Sequence, residues 1–106
     1  AKVCYLSEFL GGDCVTEGDY PAWEYRKESK LRDIMVDSYK ELFGDGPEVK
    51  AIHAGLECGI FQSKIKGLDC VSIGPDMEDI HTTRETLSIP SVKRVWDYLL
   101  RVLESL

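Results

Sequence analysis

Residues 49–73 read VKAIHAGLECGIFQSKIKGLDCVSI, and the order of apolar runs and glycines in this stretch decides the fold class. Residues 49–53 carry the pattern of a strand. Residues 54–59 form a glycine-containing loop that enters a short helix running to about Lys64. Gly67 stops that helix, and residues 68–73 make a second, largely apolar strand. A strand, a short helix and another strand join by default as a right-handed crossover with the strands parallel. An α/β fold with helices on the faces of the sheet is therefore expected. Ligands of such sheets gather at the carboxyl ends of the strands. Two loops leave those ends, 53–59 and 74–88, and each holds one of the chain's two histidines, His53 and His81. The second loop is fifteen residues long and polar. Connections of that length inside a domain are uncommon and often functional.

Outward from this unit the chain is mostly helical. Residues 2–10 place apolar side chains at 3, 6, 9 and 10, and Gly11-Gly12 ends the helix they predict. Residues 13–17 read as a short strand, and Tyr20-Pro21-Ala22-Trp23 as extended chain, because Pro21 disfavours helix in the residue before it. Ser29 is placed to cap a helix whose stripe is Leu31, Ile34, Met35, Tyr39 and Leu42, with Gly44 as the stop. Pro90 suits a first helical turn. Val92, Val95, Trp96, Leu99, Val102, Leu103 and Leu106 then mark an amphipathic helix of about four turns. Both stripes are expected to be core.

Composition narrows the function. The chain has 106 residues, room for one domain, and thirteen Lys plus Arg against nineteen Asp plus Glu, a net charge of −6. Nucleic-acid binding needs clustered positive charge, so neither it nor an anionic membrane surface is expected as a partner. The longest apolar run, at residues 3–6, is far short of the roughly twenty residues of a membrane helix. No signal-peptide pattern is visible. The first residue is Ala, which points to a natural start further upstream. Cysteines at 4, 14, 58 and 70 show no Cys-x-x-Cys spacing. They are expected to be reduced and to pack as small apolar groups in a cytoplasmic protein.

The residues themselves leave the chemistry open. His81 follows Asp76, Glu78 and Asp79, and reads either as an incidental histidine in a solvated acidic loop or as a metal ligand. His53 and Glu57 lie four apart with Gly55 between them. Gly55 and Gly59 could permit close strand–helix packing, with Glu57 a first-turn carboxylate favoured by the helix dipole. Alternatively the same loop is a substrate cradle.

Ile52-His53-Ala54-Gly55-Leu56-Glu57-Cys58-Gly59-Ile60-Phe61 resembles the hallmark of the aminoacyl-histidine dipeptidases, zinc metallopeptidases of the carnosinase-like clan. Tyr20-Pro21-Ala22-Trp23 resembles the family's Tyr-Pro-Gly-Trp, with Ala22 in place of Gly. Ser72-Ile73-Gly74-Pro75 resembles its strand-to-loop segment. The loop Ile80-His81-Thr82-Thr83-Arg84-Glu85-Thr86-Leu87-Ser88-Ile89 resembles the one carrying the last metal-ligand histidine, with Thr82-Thr83 where Ser-Pro is common. The final amphipathic helix, including Trp96, also fits.

This resemblance implies a C-terminal piece of a three-layer α/β catalytic domain. Residues 1–25 would be a remnant of the inserted lid domain and 26–106 the end of the catalytic domain. Two zinc ions in the complete enzyme would activate a bridging water, with a glutamate as general base. His81 would bind one zinc, and His53, Gly55 and Glu57 would line the pocket for a dipeptide, Glu57 meeting its free amine. The other ligands and the catalytic glutamate are missing from this chain, so it is expected to be inactive alone, its partner being the absent N-terminal half; a homodimer is a further expectation. Residues 1–28 would be less firmly docked than the rest. The alternative is a free-standing, non-catalytic α/β binding module. The reading frame upstream of Ala1 separates the two.

Overall fold

The computed structural model describes residues 2–52 and 57–106. Four helices and one hairpin follow in order: α1 (Lys2–Phe9), α2 (Lys30–Phe43), α3 (Glu57–Lys64), β1 (Met77–Glu78), β2 (Thr86–Leu87) and α4 (Ile89–Glu104).

Helix α2 begins where Ser29 takes an extended backbone and its hydroxyl oxygen accepts from the Arg32 N–H at 3.0 Å. The same hydroxyl donates to the Asp69 carboxylate at 2.8 Å, and that carboxylate also accepts from the Leu31 N–H at 3.3 Å. Asp69 thus brings negative charge to the helix N-terminus and ties residues 68–73 to α2. Gly44, at φ 87°, closes the other end, where its N–H donates to the Lys40 carbonyl. Removing the cap is expected to cost about 1–2 kcal/mol. Ser29→Ala should lower the urea midpoint accordingly and Ser29→Thr should restore most of it; an unchanged midpoint in S29A would contradict the capping role given to Ser29.

The core lies between α2 and α4. Met35, Tyr98 and Val102 are buried, with Leu31, Ile34, Tyr39 and Val71 against them. Tyr98 stands edge-on to Tyr39 at 5.3 Å, and its hydroxyl donates to the Met35 carbonyl at 2.8 Å. Arg101 of α4 pairs with Glu41 of α2 at 2.6 Å.

Three expected strands are not found. Residues 13–17 and 49–52 form none, nor do residues 68–73, and His53 lies outside the described residues. Among the described residues the sheet is two-stranded and antiparallel, pairing Met77 with Leu87 and Glu78 with Thr86. A ladder needs backbone partners, and residues 49–52 and 69–73 share the lining of one cleft instead of bonding to each other. The long polar connection 74–88, read as a loop, contains the hairpin.

The stripe expected on α4 is also mostly outside the core. Trp96 is 59% exposed and Leu103 58%, while Tyr98, absent from that stripe, is buried. The apolar face of the helix is broad, and α2 covers only its Tyr98–Val102 edge. The radius of gyration, 18.8 Å against about 13 Å for a closed domain of this length, reflects the same incomplete coverage.

Cys4 and Cys14 form a disulfide, against the expectation of packed thiols. Helix α1 buries nothing, so Cys4 has no core to enter. The turn at Gly11, φ 81°, instead folds the chain back, with the Ser7 hydroxyl donating to the Asp13 carbonyl at 3.1 Å. Cys58 and Cys70 are free and half-buried, as expected, and burial followed by the neighbouring Cys58 pushes the Cys70 thiol up.

Candidate active site

The hairpin presents His81 at its tip. Its base is anchored on α4: the Asp76 N–H donates to the Ser91 hydroxyl at 2.9 Å, and the Asp76 carboxylate pairs with Arg94 at 2.7 Å. The Ser88 N–H donates to the Asp76 carbonyl at 3.0 Å and continues the ladder beyond β2.

At the tip the backbone is left-handed twice, at Asp79 (φ 51°) and at His81 (φ 66°). Each such non-glycine residue costs on the order of 1–2 kcal/mol. Local bonds hold the shape. The Thr82 hydroxyl donates to the Asp79 carbonyl at 2.7 Å and its oxygen accepts from the Arg84 N–H at 3.1 Å. The His81 N–H donates to the Glu85 carboxylate at 2.9 Å. His81 is exposed, and no hydrogen bond engages its imidazole among the described residues. A ring on a braced turn with both nitrogens unengaged is suited to bind something brought to it.

The other expected site residues are placed less fully. His53 and Gly55 lie outside the described residues. Glu57 is exposed and is the first residue of α3. Neither Glu57 nor His81 lines the cleft between α2 and residues 47–52, which is walled by Trp23, Arg32, Met35 and Val71 among others. Among the described residues no three of His, Cys, Asp and Glu stand close enough to hold a metal ion.

Gly59 has a role that the sequence reading assigned to strand packing. A Cβ built there would meet the Pro21 carbonyl oxygen at 2.6 Å and the Trp23 nitrogen at 3.4 Å. The segment Pro21-Ala22-Trp23 therefore lies directly on α3, and Trp23 is half-buried. Arg26 adds a bond from its guanidinium to the Gly67 carbonyl at 2.9 Å. Within residues 1–28, α1 buries nothing, but Trp23 has a seat. The joint occurrence of an aromatic extended segment and a buried small residue was the available signal.

No protein-family model matches the chain. Over 101 residues, 95% of the chain, it is 34% identical to the cytosol non-specific dipeptidase of Escherichia coli (strain K12), of which it covers 21%. The fold matches the crystal structure of aminoacylhistidine dipeptidase from Vibrio alginolyticus with a TM-score of 0.78 at 36% identity, over 85% of this chain and 18% of that one. The chain is related to a segment of the aminoacylhistidine dipeptidases. It spans about a fifth of the length of these dipeptidases. The relationship explains why helices and a hairpin that leave so much apolar surface uncovered still match a solved dipeptidase. Among the described residues no helix is long and apolar enough to cross a membrane.

Proposed function

We propose that the chain is the end of the catalytic domain of a cytoplasmic, zinc-dependent dipeptidase acting on Xaa-His and other dipeptides. In this reading residues 1–25 belong to the lid, residues 26–106 complete a three-layer α/β domain, and the complete enzyme is a homodimer. The observation that carries the reading is the match to two dipeptidases over nearly the whole chain, joined to a histidine whose ring is left unengaged at a braced turn.

The residues present fit a share of a metal site. A zinc centre takes three or four protein ligands, and no such group exists among the described residues. His81 supplies one imidazole, and the remaining ligands belong to the rest of the enzyme. Zinc, when bound, polarises the scissile carbonyl and acidifies water. The chain's own residues do the positioning. Asp76, Arg94 and Ser91 fix the hairpin on α4, and the tip bonds present the His81 ring. Glu57, an exposed carboxylate at the start of α3, pairs with the dipeptide's free amine, and His53 and Gly55 line the same pocket loop.

Purified residues 1–106 are expected to show no hydrolysis of Xaa-His dipeptides above the blank with zinc, cobalt or manganese, because one ligand cannot build the two-metal centre. Metal-dependent turnover that stays with the chain through successive purification steps would overturn the reading.

A further inference from the structure

The tip of the hairpin contains an acidic residue whose placement has no counterpart in the packing of the domain. Glu85 is exposed and makes no ion pair among the described residues. Its carboxylate instead reaches back four positions and accepts the N–H of His81 at 2.9 Å. That N–H belongs to a residue at φ 66°, a conformation uncommon for non-glycine residues. The remaining bonds of the tip serve its two flanks. Thr82 closes the turn on Asp79, and the Glu85 N–H donates to the Thr82 carbonyl at 3.3 Å. The Thr82 N–H, on the peptide that follows His81, donates to the Asp79 carbonyl at 3.1 Å and closes the 79–82 turn, while the Glu85 carboxylate is the one partner of the peptide that precedes His81 among the described residues. The left-handed backbone sets the direction of the Cα–Cβ bond at His81 and so the direction of its ring.

We infer that Glu85 is a positioning residue for the His81 imidazole: its carboxylate holds the His81 peptide in the left-handed conformation that points the ring away from the hairpin. This rests on the proposed role of His81 as a ligand. The bond requires only an acceptor oxygen, so an amide at position 85 keeps most of the effect and a methyl group loses it. The acidic neighbours Asp76, Glu78 and Asp79 do not substitute for Glu85, because the Asp76 carboxylate is paired with Arg94 and the bond from the His81 N–H goes to Glu85 alone.

The first measurement is amide hydrogen exchange on the 106-residue chain. In Glu85→Ala the His81 amide is expected to exchange roughly tenfold to a hundredfold faster, the range for a bond to a charged acceptor. The Ser88 amide, bonded to the Asp76 carbonyl in the same hairpin, keeps its rate. In Glu85→Gln the His81 amide regains most of its protection. Equal protection in E85A and the parent would overturn the inference. So would loss of protection at both amides in E85A and E85Q alike, which would make Glu85 a hairpin-stabilising residue only.

The second measurement is zinc per chain in the complete dipeptidase. E85A is expected to lower it and E85Q to restore it. If His81→Ala lowers zinc content and E85A does not, the inference about Glu85 fails while His81 stands as a ligand. If H81A leaves zinc content unchanged, the ligand reading itself fails, and with it the purpose assigned to Glu85.

Discussion

Replacement of His81 by alanine in a complete dipeptidase carrying this segment is expected to lower kcat/KM by roughly a hundredfold or more, since changes one layer out from a metal already cost about 10–100-fold. Bound zinc should fall toward one ion per chain. The fold should survive, because His81 is exposed and its ring supports no packing. The hairpin is held from its base by Asp76, Ser91 and Arg94, none of which contacts the ring. The loss then reads as a ligand effect: a metal less well held polarises the carbonyl and the developing oxyanion less. Zinc analysis and steady-state kinetics on one preparation check both halves. An H81A enzyme with two zinc ions and near-normal turnover would remove the functional assignment.

Gly59→Ala in the 106-residue chain should be destabilising by about 2 kcal/mol. Two terms oppose each other. Alanine inside a helix is better than glycine by about 1 kcal/mol. Against that, the new methyl would sit 2.6 Å from the Pro21 carbonyl oxygen, and overpacking costs up to about 3 kcal/mol. The obstacle is backbone, so relief requires moving the whole Pro21-Ala22-Trp23 segment off α3. Gly74→Ala is the control, since nothing lies within 4 Å of its Cβ position; a shift within about 0.5 kcal/mol is expected there. Urea midpoints of the two variants decide the matter. A G59A chain more stable than the parent would mean that residues 21–23 do not lie on α3.

What could be read from the sequence was what local chemistry dictates. The Ser29 cap, the Leu31–Met35–Tyr39 stripe, the Gly44 stop and Pro90 in the first turn of α4 each depend on neighbours within one or two turns, and each is found. Strands are different. Residues 68–73 have the composition of a strand, but a strand is completed by a partner, and none bonds to them among the described residues. Which edge of the broad apolar face of α4 is buried could not be read from periodicity, because the choice of Tyr98 over Trp96 is made by the Met35 carbonyl on another helix. The hairpin escaped notice because its positive-φ positions are Asp79 and His81 and not glycine. The Cys4–Cys14 pair depends on a chain reversal that spacing does not reveal. Loop order alone pointed to the two histidine-bearing segments as a place for a site, and only the family resemblance gave His81 and the pocket loop specific roles.

The bond from Tyr98 to Met35 spans 63 residues of chain, and that separation governs how the molecule reaches its shape. Closing a loop of this length costs about 4 kcal/mol of entropy before any contact repays it. Helix α2, at fourteen residues, is marginal by itself. During synthesis, at about 5–20 residues per second, roughly 3–13 s separate the emergence of Met35 from that of Tyr98. Over that interval the apolar face of α2 lacks its α4 partner, although Asp69 and Val71 emerge about halfway through it and can already pack against α2. Substitutions at Met35, Tyr98 and Val102 should therefore act on the yield of newly made protein as strongly as on the stability of protein already folded.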